Sequence, residues 1–449
     1  WVPATFATGE RSTKFPDAPL GTLYVGDPGM PDRVGFNHYG DWGTMGPRAG
    51  FAYDLSGNGK TVVRGAFGIF SIPVDLQQVN NSTERPPFDM IVDFNYPASY
   101  GNPFAGKIDP FPSWKPGVQY DLTPLLPLQG APNCLCYRNG YSEQWNFSVE
   151  HALRPDLKLS LTYVGNHSLA LWRAPGIAPA TYIPGVDAEG NPLSTPDNAD
   201  SRRPYPDYSE IYLSTTDATR HSNGLQVVAE KRFSRGLTIS GNYSFSNTMA
   251  WSDDGARQRA QDETNVFAEY ARTNASVRHT GVVSWIYDLP SFTQNRMLGT
   301  LINSWELSGI FTIRSGFPYN LYTGTDNSLT GTGNDRPDQI MANSGLSAGQ
   351  RSPNRYFNTN AFVPNAIGKF GNVGYNAMTG PGAVTFNTGL FKNFSIRERQ
   401  SLQLRGEAFN LFNHPNFGNP DPTLNSPTFG QILTASPARI LQVGLKVVF

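Results

Sequence analysis

The side chains able to do chemistry in this 449-residue chain are few and scattered. Its six histidines are His38, His151, His167, His221, His279 and His414, and none sits in an H-E-x-x-H spacing that would set two imidazoles on one helix face for zinc. There is no G-x-S-x-G elbow to present a nucleophilic serine. The two thiols are Cys134 and Cys136. Zinc needs more ligands than these, and no histidine lies near them. A C-x-C disulfide brings its Cα atoms to the short limit, so a local bridge and other thiol states stand as equal readings. The run Gly57-Asn58-Gly59-Lys60-Thr61 has the end of a phosphate-binding loop. Asp54 stands where that loop needs its first glycine, and Val62-Val63 continue as strand rather than helix. A hairpin turn is the better reading. Asp326, Asn327, Asn334, Asp335 and Asp338 offer oxygens to calcium but lack the EF-hand spacing and its closing acidic residue. Asp253-Asp254 and Asp262-Glu263 read as solvated loop charge. No catalytic, metal-binding or cofactor-binding residue is assigned, and the chain reads as non-enzymatic. What remains for binding is a set of aromatics in polar stretches: Trp114, Tyr137, Tyr205, Tyr208, Trp251 and Tyr270. Their rings can stack on sugar or chelate rings; packing or an interfacial girdle is the competing role for each.

The elements that would carry those stretches are strands. From Leu441 to Phe449 every second residue is apolar: Leu441, Val443, Leu445, Val447 and Phe449, with Gln442, Gly444 and Lys446 between them. Period-two alternation gives a strand two unlike faces. A greasy face, a polar face and a final aromatic suit a membrane-spanning β-barrel: one side meets lipid, the other a watery lumen, and the aromatic an interface. The composition agrees. Hydrophobic residues are 39% of the chain, the mean hydropathy is -0.38, and no run of about 18 apolar residues is available for a transmembrane helix. The 45 glycines and 36 prolines supply many turns. A formal net charge of -1 gives no electrostatic reason to bind nucleic acid.

The alternation continues backwards from the C-terminus. Strands are expected at Leu441–Phe449, Ser401–Asn410, Ala383–Phe394, Ser304–Arg314, Thr280–Leu289, Leu237–Phe245, Leu225–Phe233, Leu157–Tyr163, around Trp145–Val149, at Thr61–Phe70 and at Arg48–Asp54. Short connections such as Ser395–Glu398, Ser234-Arg235-Gly236, Arg154-Pro155-Asp156 and Ser56–Gly59 alternate with long Asn/Pro/Gly-rich ones, the pattern of periplasmic turns and external loops. About eleven strands result. Bacterial single-chain barrels have even counts with both ends in the periplasm. Counting back from a periplasmic Phe449, the first strand begins outside, so Trp1–Gly46 is expected in an external loop and the chain as the second half of a larger barrel.

Several segments resemble the C-terminal barrel of TonB-dependent outer-membrane receptors, in particular the large Oar-like group. They are Pro47–Asp54, Gly59–Gly65, Tyr141–Asn146, Asn334–Asp338 and, nearest to the pattern, Arg405-Gly406-Glu407-Ala408-Phe409-Asn410-Leu411-Phe412-Asn413-His414-Pro415-Asn416-Phe417-Gly418. The resemblance implies an all-β antiparallel transmembrane barrel of about 22 strands, of which residues 1–449 supply about eleven. It implies the bacterial outer membrane, its lipids as surroundings and uptake of an unidentified ligand. It also implies TonB as a partner through an N-terminal segment not seen in this sequence, with the plug and a regulatory-like domain, and the assembly machinery as a partner of the strand ending at Phe449. A passive porin, an adhesion or secretion barrel, and a secreted all-β carbohydrate-binding or carbohydrate-active protein are the alternatives, since alternating strands also build soluble sandwiches and propellers.

Overall fold

The computed structural model describes residues 8–16, 18, 20–24, 26–30, 45–73, 99–106, 109, 127–130, 138–251, 260–397 and 400–449. Among these residues eleven long strands follow one another in space as they do in sequence. They are β1 (Arg48–Asp54), β2 (Thr61–Ile72), β3 (Gly140–Arg154), β4 (Leu157–Arg173), β5 (Thr215–Ser234) and β6 (Leu237–Ala250). After them come β7 (His279–Asp288), β8 (Trp305–Arg314), β9 (Ala383–Arg397), β10 (Gln400–Phe409) and β11 (Ile440–Val448). Every neighbouring pair is antiparallel. The short strand Ala271–Arg272 adds to β6 and makes the sheet twelve-stranded. Among the described residues no helix is long and apolar enough to cross a membrane.

The register explains why these residues form one wall. Tyr53, Val63, Val149, Leu161, Val227 and Tyr243 lie abreast on six successive strands. Leu237, Tyr287, Leu307, Leu390, Gly406 and Val443 form a second row across β6 to β11. Directly opposed residues share a face, so a one-residue slip in any strand would break the row that crosses it. This apolar face is open rather than packed: Leu441, Val443, Leu445, Val447 and Phe449 are each between 56% and 94% exposed. The expected outward set therefore shares one uncovered face. Arg64, Ser148, Thr162, Gln226, Ser244, Thr280 and Arg314 run abreast on the other face.

Aromatic rings fill the gaps that glycines leave in the apolar face. Trp145 lies across Gly165, where a Cβ would come within 2.1 Å of the indole, and Trp285 lies across Gly309, where the distance would be 2.3 Å. Glycine admits the ring against the neighbouring backbone, and the ring covers the glycine's ladder.

The two ends of the wall differ. At one end β5 turns into β6 through Arg235 and Gly236, whose φ values of 52° and 78° are both left-handed. That is the hairpin geometry whose twist matches the strands. Asp54 accepts the Gly59 N–H at 2.7 Å in the β1–β2 turn, which makes that glycine-rich run a hairpin. At the other end the connections are long, and described residues of the β4–β5, β6–β7, β8–β9 and β10–β11 loops pack against one another. Outer-membrane barrels carry short turns in the periplasm and long loops outside.

Four features differ from the sequence reading. Ser395 to Arg397, expected in a turn, continue β9, with Ser395 and Arg397 paired to β10. Strands β3, β4, β5 and β6 run further towards the loops than the apolar alternation. Thr215 to Asn223 is polar on both faces, so no period of two marks it. The β7–β8 connection contains a helix, α1 (Arg296–Ile302), too short to show a helical period. The inner face is also less polar than a water-filled lumen requires, with Ile286, Ile310, Phe409 and Ile440 exposed on it.

Candidate functional site in the external loops

The loop assembly is built around a dry core. Tyr319, Leu321, Phe357, Phe362 and Val373 of the β8–β9 loop are buried together, and Leu424 and Phe429 of the β10–β11 loop pack against them. Phe357 and Phe429 meet edge to face at 5.2 Å. Backbone bonds join the same two loops: Leu424 N–H donates to Tyr322 O at 2.8 Å and Tyr356 N–H to Gly430 O at 3.0 Å.

Polar struts bring in the other loops. Arg336 is 2% exposed and Glu269 of the β6–β7 loop 5%. Their bidentate contacts are 2.6 and 2.8 Å, and Arg336 Nε also donates to Val373 O at 2.7 Å. Gln261 ties the same loops twice, donating to Gly371 O and accepting from the Arg336 N–H. A buried ion pair holds only when its remaining donors are satisfied, as Arg336's Nε is here. From the β4–β5 loop, Ala180 N–H donates to Thr330 O and Arg203 to Gly331 O. Four external loops thus make one packed body.

The acidic loop Asp326–Asp338 is consumed by this packing. Asp335 is buried and accepts from Ser328 N–H, Ser328 Oγ and Asn365 Nδ2. Burial pushes its carboxyl up, against the pull of those hydrogen bonds. Asp326 accepts from Ser328 and the Gly331 N–H, and Asp338 from the Asn372 N–H. In the other acidic loop Asp262 accepts from Thr264. Among the described residues, no group of three or more His, Cys, Asp or Glu side chains could hold a metal ion.

The aromatic candidates fall into three sets. Trp114 and Tyr137 lie outside the described residues, as do Cys134, Cys136 and Asp253-Asp254. Tyr208 is buried with Ala178 and Ile211, with Tyr205 packed on that cluster, and burial raises the Tyr208 phenol. Trp251 and Tyr270 come together at 6.2 Å, and Phe267 meets Trp251 edge-on at 5.1 Å. Phe267 and Tyr270 are exposed, so this corner offers open ring surface.

One cluster escaped the sequence reading. Glu143, His167 and His221 lie abreast on β3, β4 and β5. The imidazoles stack at 4.0 Å, and His167 Nδ1 is 3.5 Å from Glu143. They share the face of the apolar rows, nearer the loops. Only the register unites residues that stand 24 and 54 positions apart in the sequence.

A family model described as an outer membrane beta barrel domain matches residues 3–442. The chain belongs to that family. This outer membrane beta barrel therefore resides in the bacterial outer membrane, and its uncovered apolar rows are its lipid-facing wall. Among solved structures it is similar to the outer membrane transporter YddB from Escherichia coli, at 8% identity and a TM-score of 0.47, covering 90% of this chain and 40% of that one. It is similar to BauA, the ferric preacinetobactin receptor from Acinetobacter baumannii, at 9% identity and a TM-score of 0.40, covering 90% and 36%. It is also similar to the ferripyoverdine receptor of the Pseudomonas aeruginosa outer membrane, at 9% and 0.40, covering 90% and 32%. The chain spans less than half the length of each. No curated protein matches it.

Proposed function

We propose that this chain forms the C-terminal wall and external recognition loops of a TonB-dependent outer-membrane receptor that takes up a ligand. The observation that carries the reading is the open strand path. Among the described residues, strands β1 and β11 are the ends of an eleven-strand meander, run in the same direction and do not pair with each other. Each edge is a row of donors and acceptors that hydrocarbon cannot satisfy. Antiparallel closure needs an odd number of further strands, and a second set of eleven gives 22, the size at which such barrels hold a plug. An eleven-stranded porin closed on itself would need β1 parallel to β11. The Oar-like assignment, the TonB dependence and an N-terminal coupling segment rest on the sequence resemblance. Residues 1–46 belong with the external loops in this reading, supported by Leu20 N–H donating to Asp207 of the β4–β5 loop.

The packed loop body presents the ligand surface, and the Trp251–Tyr270 corner supplies its ring contacts. Tyr205 and Tyr208 act through loop packing, while Trp114 and Tyr137 stay proposed contacts. No enzymatic step is assigned. The test is uptake of a panel of labelled iron chelates, vitamins, glycans and peptides by cells carrying the intact gene, in TonB-proficient and TonB-deficient hosts. The reading expects one class to be taken up only with TonB. Uptake indifferent to TonB, scaling with solute size, would establish the porin instead.

A further inference from the structure

Helix α1 leaves its apolar side chains open at the periplasmic end of the wall. Met297, Leu298, Leu301 and Ile302 are between 42% and 85% exposed, as is Phe292 just before them at 61%. The four helical residues cover an arc of about 140° at 3.6 residues per turn, with Arg296 and Thr300 opposite. No residue of the helix is buried.

A helix of this length does not hold itself in water. Here both ends are clamped by side chains. Asn295 caps the start, accepting from the Met297 and Leu298 N–H groups at 3.0 and 3.2 Å. Asn303 closes the segment, accepting from the Phe292 N–H at 2.7 Å and donating to Thr293 O at 2.7 Å. The sequence fixes the helix in place while leaving its greasy side uncovered.

The position of the helix indicates what covers that side. Trp305 Nε1 donates to Leu301 O at 3.0 Å. Trp305 begins the outward row that runs through Lys392, Leu404 and Leu445. The Lys392 ammonium reaches Asn303 O and lies 5.2 Å from the Phe394 ring and 5.9 Å from the Trp305 ring. Lys392 is 2% exposed, so its ammonium ties the end of the helix to the wall, and the exposed helix continues the lipid-facing wall at the level of the Trp305 indole, a group that favours the headgroup boundary.

We propose that α1 is an interfacial anchor that lies in the inner leaflet of the outer membrane, with Met297, Leu298, Leu301 and Ile302 among phospholipid acyl chains and Arg296 at the headgroup phosphates. The occupant of this surface is phospholipid, and the assignment rests on the wall facing lipid.

The test uses the intact protein in phosphatidylethanolamine–phosphatidylglycerol vesicles containing a phospholipid with a photoactivatable diazirine in its acyl chain, followed by peptide mapping. Lipid adducts are expected on residues 292–305 at a yield comparable with those on Leu159–Tyr163, and L298E/L301E should reduce the former to the level of loop 345–355 while sparing the latter. Adducts on Leu159–Tyr163 without any on residues 292–305 would overturn the anchor and leave the wall standing. A protein cross-link at the helix, to a second copy or to another chain, in place of lipid would overturn it equally. Absence of adducts from both segments would remove the lipid-facing wall and the anchor with it.

Discussion

The wall and the external loop body bury apolar surface in opposite ways. The loop body folds like a soluble domain, with Leu321, Phe357 and Phe362 inside. The wall turns Leu161, Tyr163, Tyr243 and Leu390 outwards, and across β2 to β8 a row of Ser, Thr, Gln and Arg lies on the far side, which also carries Ile286 and Ile310. Solvent sets the difference. Water outside the cell makes the loops hide their rings, whereas hydrocarbon removes any reason to hide them and demands only that every backbone group be paired. One chain therefore carries two hydropathy codes, and exposure of a leucine has opposite meanings in them.

The largest effect that would break this separation is expected at the strut between loops. Arg336→Met leaves Glu269 buried without its partner and should cost the loop body about 3–5 kcal/mol. Limited proteolysis should then cut within 260–278 and 323–381, while the strand signal in circular dichroism stays unchanged. Loss of the strands together with the loops would show that the two regions are one cooperative unit.

On the wall, the comparison sharpens between two adjacent residues of β4. Leu161→Arg puts a charge into lipid and should destabilise the folded state in vesicles by about 2–4 kcal/mol. Thr162→Arg, on the other face, should stay within about 0.5 kcal/mol. Urea titration of both variants in the same lipid measures the pair. A smaller cost is expected where rings cover glycine. Gly165→Ala would drive a methyl into Trp145 and should cost about 1–3 kcal/mol by the same titration, whereas Gly241→Ala meets nothing within 4 Å and should be near neutral.

The smallest effect is a pH dependence confined to the loops. Burial pushes Asp421 up, but hydrogen bonds from Ser426, Thr428 and Thr423 outweigh it and hold the carboxyl below the usual range. Its stabilisation is present above the unfolded carboxylate pKa and lost as pH falls through the lowered folded value. Asp335, raised by burial, acts oppositely: its contribution is present at acid pH and lost as pH rises through the raised value. Protease resistance of the loops against pH should lose its acid-side fall in Asp421→Asn and its fall on the higher-pH side in Asp335→Asn. The strands should show neither change.

The two codes were not equally legible. Strands such as Leu237–Phe245 and Leu441–Val447 announce themselves because lipid and lumen impose a strict period of two. Their extensions beyond the hydrocarbon do not, since Thr215 to Asn223 has water-compatible residues on both faces. The loop body was opaque. Glu269 and Arg336 are 67 positions apart, and nothing local in either says that they meet. Asp335 looks in sequence like a cation ligand, whereas packing makes it an internal acceptor. Of the aromatic candidates, Trp251 and Tyr270 had no periodicity to place them, and their proximity comes from the fold of the β6–β7 loop. The Glu143–His167–His221 cluster needed the strand register before its members could be seen as neighbours.

The claim on which the rest stands is that the registered apolar rows face lipid. Spin-label scanning of β4 in the intact protein reconstituted in vesicles, with Cys134 and Cys136 replaced by serine, addresses it residue by residue. Labels at Leu159, Leu161 and Tyr163 should be relaxed by oxygen dissolved in the bilayer, and labels at Ser160 and Thr162 by a water-soluble nickel complex, in strict alternation. Nickel access at every position, or protection of Leu159, Leu161 and Tyr163 from both reagents as in a dry protein core, would contradict the lipid-facing wall.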